Sequence, residues 1–292
     1  MSPPTRRVLG VLNLLAADPG ERRTLTAVAT ALDLSPATCL GILNELVAGG
    51  YLVRHPDRTY SLGGALVSLG AAARDSRPGI GPARGELQAL SDDLGRLCTA
   101  SAVIGDQIVV LEAVGPTGGG APIVRAGARF PFTAPVGLVN AAWYSDDTIA
   151  AWIDRSPVAL TQDKLDRLRS VIATCRQQGY LVERLTNVEP NLHRLLPLAI
   201  GGANEDAARR ALGEALLIFA DRDYLTDELE EASSVSVICA PCFDADGRPE
   251  LTLGVYLMEI DVPIDDIHAL GRRLRQTCDR VTAAIAGRDP WS

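Results

Sequence analysis

Residues 25–50, LTAVATALDLSPATCLGILNELVAGG, decide how this chain folds. Thr26 is a good helix start, and Val28, Ala29 and Leu32 fall on one face of the helix it opens. Asp33-Leu34 makes a short turn, and Ser35-Pro36 restarts a helix. Ser caps free backbone N–H groups, and Pro suits a first helical position whose N–H needs no partner. Cys39, Ile42, Leu43, Leu46 and Val47 recur at i, i+3, i+4 and i+7, which predicts the buried face of that helix. Its outward face holds Ala37, Leu40, Gly41, Asn44 and Ala48, and Gly49-Gly50 ends it.

The flanks complete a motif. A helix is predicted from Pro4 to Ala17, closed by Asp18-Pro19-Gly20. Strands Tyr51–Arg54 and Thr59–Leu62 follow the pair, joined by the turn-rich His55-Pro56-Asp57-Arg58. Two helices with a tight turn, then a hairpin, describe a winged helix-turn-helix. In that motif the second helix enters the major groove, the hairpin reaches backbone or minor groove, and helix N-termini hold phosphates. The same geometry also serves protein contacts, so a head that binds a protein stays open as a second reading.

Charge is divided unevenly. The 292 residues carry a net −8, which alone argues against nucleic acid. Residues 1–84 hold nine Arg and six acids, a net +3, and the remaining 208 residues carry 19 basic and 30 acidic groups, a net −11. A mildly basic head precedes a strongly acidic body. Arg6, Arg7, Arg22 and Arg23 on the flanks and Arg54 and Arg58 on the wing are candidate phosphate contacts, which position a protein without specifying sequence. On the reading face Asn44 suits adenine and Ala37 a thymine methyl. Thr26, Ser35, Thr38, Leu40, Gly41 and Tyr60 complete the expected DNA-binding set.

Beyond the hairpin a helix is expected over Gly63–Arg74, broken at residues 75–82 by two Pro and two Gly. Domains are therefore drawn at 1–74 and 83–292, with 75–82 as linker. In the body we expect a helix over Ala83–Leu97, strands Thr99–Ile104 and Gln107–Val114 about Gly105-Asp106, and a strand Pro122–Arg125. Helices are expected at Val136–Tyr144, Asp146–Asp154, Thr161–Gln178 and Glu205–Phe219. A hairpin of Val235–Phe243 with Glu250–Met258 and a helix Pro263–Ile285 close the chain. This predicts an α+β body with a central antiparallel sheet. Gly115–Ala121 lacks the GK[ST] ending of a phosphate loop and reads as a plain loop.

The segments Leu25–Ala29, Leu34–Cys39, Leu43–Leu46, Gly50–Arg54 and Tyr60-Ser61-Leu62-Gly63 resemble the N-terminal domain of the IclR family of bacterial transcriptional regulators. Gly127–Gly137 and Ala240–Arg248 look like the effector-domain loop and penultimate hairpin of the same family. The resemblance implies a GAF-like body that binds a small molecule beside the sheet. It carries over Phe130, Phe132, Thr133, Pro135, Gly137, Leu138, Val237, Cys239, Gly254 and Tyr256 as effector-binding residues. It also implies an operator in double-stranded DNA, a homodimer or homotetramer, and a cytoplasmic location without a membrane partner. The chain departs from the family pattern in four places. Pro36 and Gly41 stand where basic residues are usual, and Val237 and Gly254 where Cys and Ser are usual. The stretch from Gly179 to Val237 is about 40 residues longer than the family connection, and loops beyond about 12–15 residues are uncommon without a role.

Other chemistry is weakly supported. Arg6-Arg7 and the apolar run after it look like a leader, but Asn13 interrupts the run and Val8, Leu12 and Leu15 have helical spacing. No apolar run reaches the roughly 20 residues a span needs. Six dispersed cysteines do not form a dense disulfide framework. Cys239-x-x-Cys242 lies in a predicted strand, where its side chains face opposite ways, unlike a redox pair opening a helix. There is no GxSxG, no HExxH and no second close Cys/His pair. We therefore expect no enzyme, no cofactor and no metal, and a ligand-responsive DNA-binding regulator.

Overall fold

The computed structural model describes residues 3–17, 20–116, 124–156, 159–184, 224–225 and 231–290. They fall into two compact units that meet in sequence between Ser76 and Arg77.

The head contains α1 (Pro3–Ala17), β1 (Arg23–Thr24), α2 (Leu25–Ala31), α3 (Pro36–Ala48), β2 (Leu52–Arg54), β3 (Thr59–Leu62) and α4 (Ala65–Asp75). The chain bends by 114° between α2 and α3, as a helix-turn-helix requires. Val11, Leu14 and Leu15 of α1 pack with Val28, Cys39, Leu43 and Leu52 in one core. Ser35 caps α3 as the sequence predicts, its Oγ accepting from the Thr38 N–H at 3.2 Å. The cap of α2 is Thr24, whose Oγ1 accepts from Ala27 N–H, so Thr26 is already inside the helix. Strand β1 was not foreseen. It makes the sheet three-stranded, in the order β1-β3-β2, with Arg23 opposite Tyr60. A two-residue strand has no alternation to betray it.

The break between α4 and the next helix is shorter than predicted. Helix α5 (Ile80–Leu94) begins inside the expected linker. Pro82 sits in its first turn, where N–H groups have no intrahelical acceptor to lose. Leu97, assigned to that helix from sequence, starts a strand instead, after the left-handed Gly95 ends α5.

The body is built on a six-stranded antiparallel sheet. Its strands are β4 (Leu97–Ile104), β5 (Gln107–Val114), β6 (Arg129–Pro131), β7 (Leu181–Arg184), β8 (Ala232–Phe243) and β9 (Pro249–Pro263). The order is β6-β5-β4-β9-β8-β7. Among the described residues it is accompanied by helices α6 (Leu138–Ala141), α7 (Asp146–Asp154), α8 (Gln162–Gln178) and α9 (Ile264–Ala284). One sheet face is covered by α5 and α9. Leu87 and Leu90 meet Ala100, Ile238, Ala240, Leu253, Leu274 and Cys278 there in the main core. Arg280 of α9 holds Glu86 of α5 with two nitrogens, the closest at 2.6 Å.

Three expectations need correction. No strand forms at Val124–Arg125; the edge strand is β6, which starts seven residues later than the predicted Pro122, and it pairs with β5 through Ile108↔Phe130. Only Leu138–Ala141 of the expected 136–144 helix is helical. Strand β7 was missed. The expected Glu205–Phe219 helix and most of the Gly115–Ala121 loop lie outside the described residues.

Candidate nucleic-acid interface and ligand-facing sheet

The N-terminal half of α3 is ordered by hydroxyls. Ser35 Oγ and Thr38 Oγ1 lie 2.9 Å apart, so the Thr38 side chain is engaged with the cap. Beyond the cap, Ala37, Leu40, Gly41, Asn44 and Ala48 are all exposed, as the periodicity predicts. Glu45 is exposed beside them, an acid that the outward face as read from sequence left out. Leu40 keeps 42% of its surface in solvent, although it is a large apolar residue. A Cβ at Gly41 would meet nothing within 4 Å.

The wing is held by Asp57. Its Oδ1 accepts from Thr59 N–H at 3.1 Å and from Thr59 Oγ1 at 2.6 Å, and these bonds hold its carboxyl below the usual carboxylate range. Arg58 takes φ 64 at the tip, and His55 Nε2 lies 2.8 Å from Ser61 Oγ across the hairpin. Arg6, Arg7, Arg54 and Arg58 are exposed and form no ion pair among the described residues. Two expected contributors are placed elsewhere. Tyr60 is 2% exposed and belongs to the head core, because the inward face of β3 must fill the space beside Leu52. Arg23 pairs with Glu21 at 2.7 Å, so much of its charge is already answered.

The second sheet face in the body brings several carried-over residues together. Cross-strand register gives a row Leu97–Tyr256–Val237, a row Thr99–Gly254–Cys239–Leu181 and a row Ser101–Thr252–Pro241. Val237, Cys239, Gly254 and Tyr256 are thus neighbours on one face. Phe130 joins them at the edge, packing with Leu97, Val110, Val124 and Tyr256. Gly254 leaves a niche: a Cβ there would lie 3.1 Å from Thr99 Oγ1 and 3.5 Å from Cys239 Sγ. Thr99 is 4% exposed, so the niche lies beside a buried side chain. None of the residues in these rows is Arg or Lys.

The loop before α6 is placed by other means. Phe132 packs at a tilt against Trp152 and edge-to-face against Tyr144, at centroid distances of 6.3 and 6.0 Å. Trp152 Nε1 donates to Val136 O at 3.0 Å, and Tyr224 Oη donates to Pro135 O at 2.8 Å. Gly137 has φ 82, and a Cβ there would lie 2.7 Å from both Ile108 and Phe132, so its role is conformational. Leu138 is fully buried. Thr133 Oγ1 is buried with no partner among the described residues. Asn140, which the sequence reading missed, accepts from Thr252 Oγ1 at 2.8 Å and ties α6 to the sheet face. Only the pairing of β4 with β9 could have revealed Thr99 and Thr252.

None of the six cysteines is in a disulfide. Cys239 faces the rows above while Cys242 lies in the opposite core, so the CxxC thiols are on different faces. Burial pushes the Cys98 and Cys175 thiols up to about 12, which makes them poor nucleophiles. Among the described residues no group of His, Cys, Asp and Glu could hold a metal. None of the described helices is long and apolar enough to cross a membrane by itself.

Comparison with known proteins agrees with both units. Residues 4–56 match the model of the IclR helix-turn-helix domain. No curated protein matches the chain. The fold is similar to that of an IclR transcriptional regulator from Alicyclobacillus acidocaldarius, with TM-score 0.67 and 20% identity over 97% of this chain and 99% of that one. An IclR homolog from Microbacterium hydrocarbonoxydans, complexed with 4-hydroxybenzoate, gives 0.64 and 16% over 97% and 99%. The Thermotoga maritima IclR gives 0.61 and 15% over 96% and 98%.

Proposed function

We propose that this chain, with an IclR-type helix-turn-helix domain at its N-terminus and the fold of IclR regulators over nearly its whole length, is a DNA-binding transcriptional regulator that responds to a small molecule. The observation that carries the reading is the coincidence of the family match with an exposed α3 face and unpaired arginines on the flank and wing. Helix α3 enters the major groove, and Arg6, Arg7, Arg54 and Arg58 hold phosphates. The effector lies against the second sheet face, beside the niche that Gly254 leaves next to Thr99 and Cys239. A ligand shifts the heads only if it binds one arrangement of the protein better than the other. Few cations per head favour an assembly whose heads bind together, a homodimer or homotetramer. The protein acts in the cytoplasm and carries out no catalysis.

Footprinting on the DNA flanking its own coding region, at low salt, tests the reading. A protected site is expected, together with a melting-point rise when a metabolite panel that includes 4-hydroxybenzoate is screened. The rival, a head that contacts protein, gains if replacing Arg54 and Arg58 by Ala leaves DNA affinity unchanged.

A further inference from the structure

The reading helix has an unusual chemical inventory. Guanine offers two acceptors in the major groove, and Arg or Lys makes the commonest specific contact to them. Helix α3 contains neither. Of the exposed side chains on its outward surface, Asn44 can donate and accept, Glu45 only accepts, and Leu40 and Ala37 are apolar. Glu45 repels guanine O6 and N7 and thymine O4, and tolerates only the amino groups of adenine and cytosine. Leu40 has no role in the head core that explains its position, since 42% of its surface is open. Gly41 has no steric reason to be glycine, because a Cβ would meet nothing, yet glycine weakens a helix interior. A glycine retained there suits a partner surface that approaches the helix backbone.

We infer that α3 reads A·T pairs: Asn44 pairs with adenine N6 and N7, and Leu40 and Ala37 pack on thymine methyl groups, with Gly41 allowing the helix to sit close. This rests on the DNA-binding reading above and adds its specificity. Wing and flank arginines then supply affinity without sequence preference.

The test uses the full chain and a pool of random duplexes. Enriched sites are expected to hold A·T pairs at the centre of each half-site. Replacing those thymines by uracil removes only the methyl group and should lower affinity about tenfold, in the range of a lost base contact. Leu40→Ala should bind more weakly and lose the part of the uracil effect that Leu40 carries, leaving the part due to Ala37. Asn44→Ala should relax the choice of adenine at one position. Both residues are exposed, and a thermal melt checks that each variant is folded. Enriched sites with guanine at the centre, or uracil duplexes that bind as tightly as thymine duplexes, overturn this inference alone. No enrichment over random DNA overturns it together with the DNA-binding reading.

Discussion

Thr24 and Thr26 are two residues apart and do different work. Thr24 supplies the cap of α2, so Thr24→Ala should cost about 1 kcal/mol of head stability. Thr26→Ala, at an exposed position inside the helix, should stay within about 0.5 kcal/mol. A denaturant titration of both variants checks this. Gly41 offers the reverse experiment. With nothing within 4 Å of its missing Cβ, Gly41→Ala should stabilise the head by up to about 1 kcal/mol while weakening operator binding. A variant that gains stability and keeps full DNA affinity would show that the glycine has no part in close approach. At this scale the sequence was legible wherever a residue's role is local. Ser35 was found by its place before Pro36 and the apolar repeat. Thr24 was not, because its helix starts two residues earlier than the apolar pattern suggests.

Among elements, α5 and α9 form the layer that covers one face of the body sheet. The Glu86–Arg280 contact ties them together, and its hydrogen bonds hold the Glu86 carboxyl below its ordinary range. A depressed carboxylate stabilises the fold above its unfolded pKa, near 4.3, and loses that contribution as pH falls through the folded value. Glu86→Gln should therefore be less stable than the parent at pH 7, and the difference should shrink as pH falls below the unfolded value and vanish once the folded carboxyl is protonated as well. Melting curves across pH 3–7 measure it. Long elements were legible from periodicity: α7 runs over Asp146–Asp154 as expected, and β5 over Gln107–Val114. The short edge strands β1, β6 and β7 were not. Two to four residues carry too little alternation, and their extended form is imposed by the neighbour they pair with.

For the molecule as a whole, the net charge of −8 averages a basic head and an acidic body. DNA affinity should fall steeply with salt, since each phosphate neutralised releases counterions. Replacing Arg54 and Arg58 by Ala should reduce the salt slope by about 1 for each phosphate contact removed, with little change in sequence preference. Binding isotherms between low and physiological salt provide the slope. The sequence by itself determined the helix-turn-helix, its wing and the hairpins of the body. Caps, turns and apolar repeats act over a few residues and leave their mark in order along the chain. The tertiary structure alone decided that β4 lies against β9, which puts Thr99 beside Gly254 and Gly254 beside Cys239 in one row. It also decided that Tyr60 turns into the head core and away from the surface. Those choices follow from which surfaces must be buried together, and burial between segments more than 100 residues apart has no local signature.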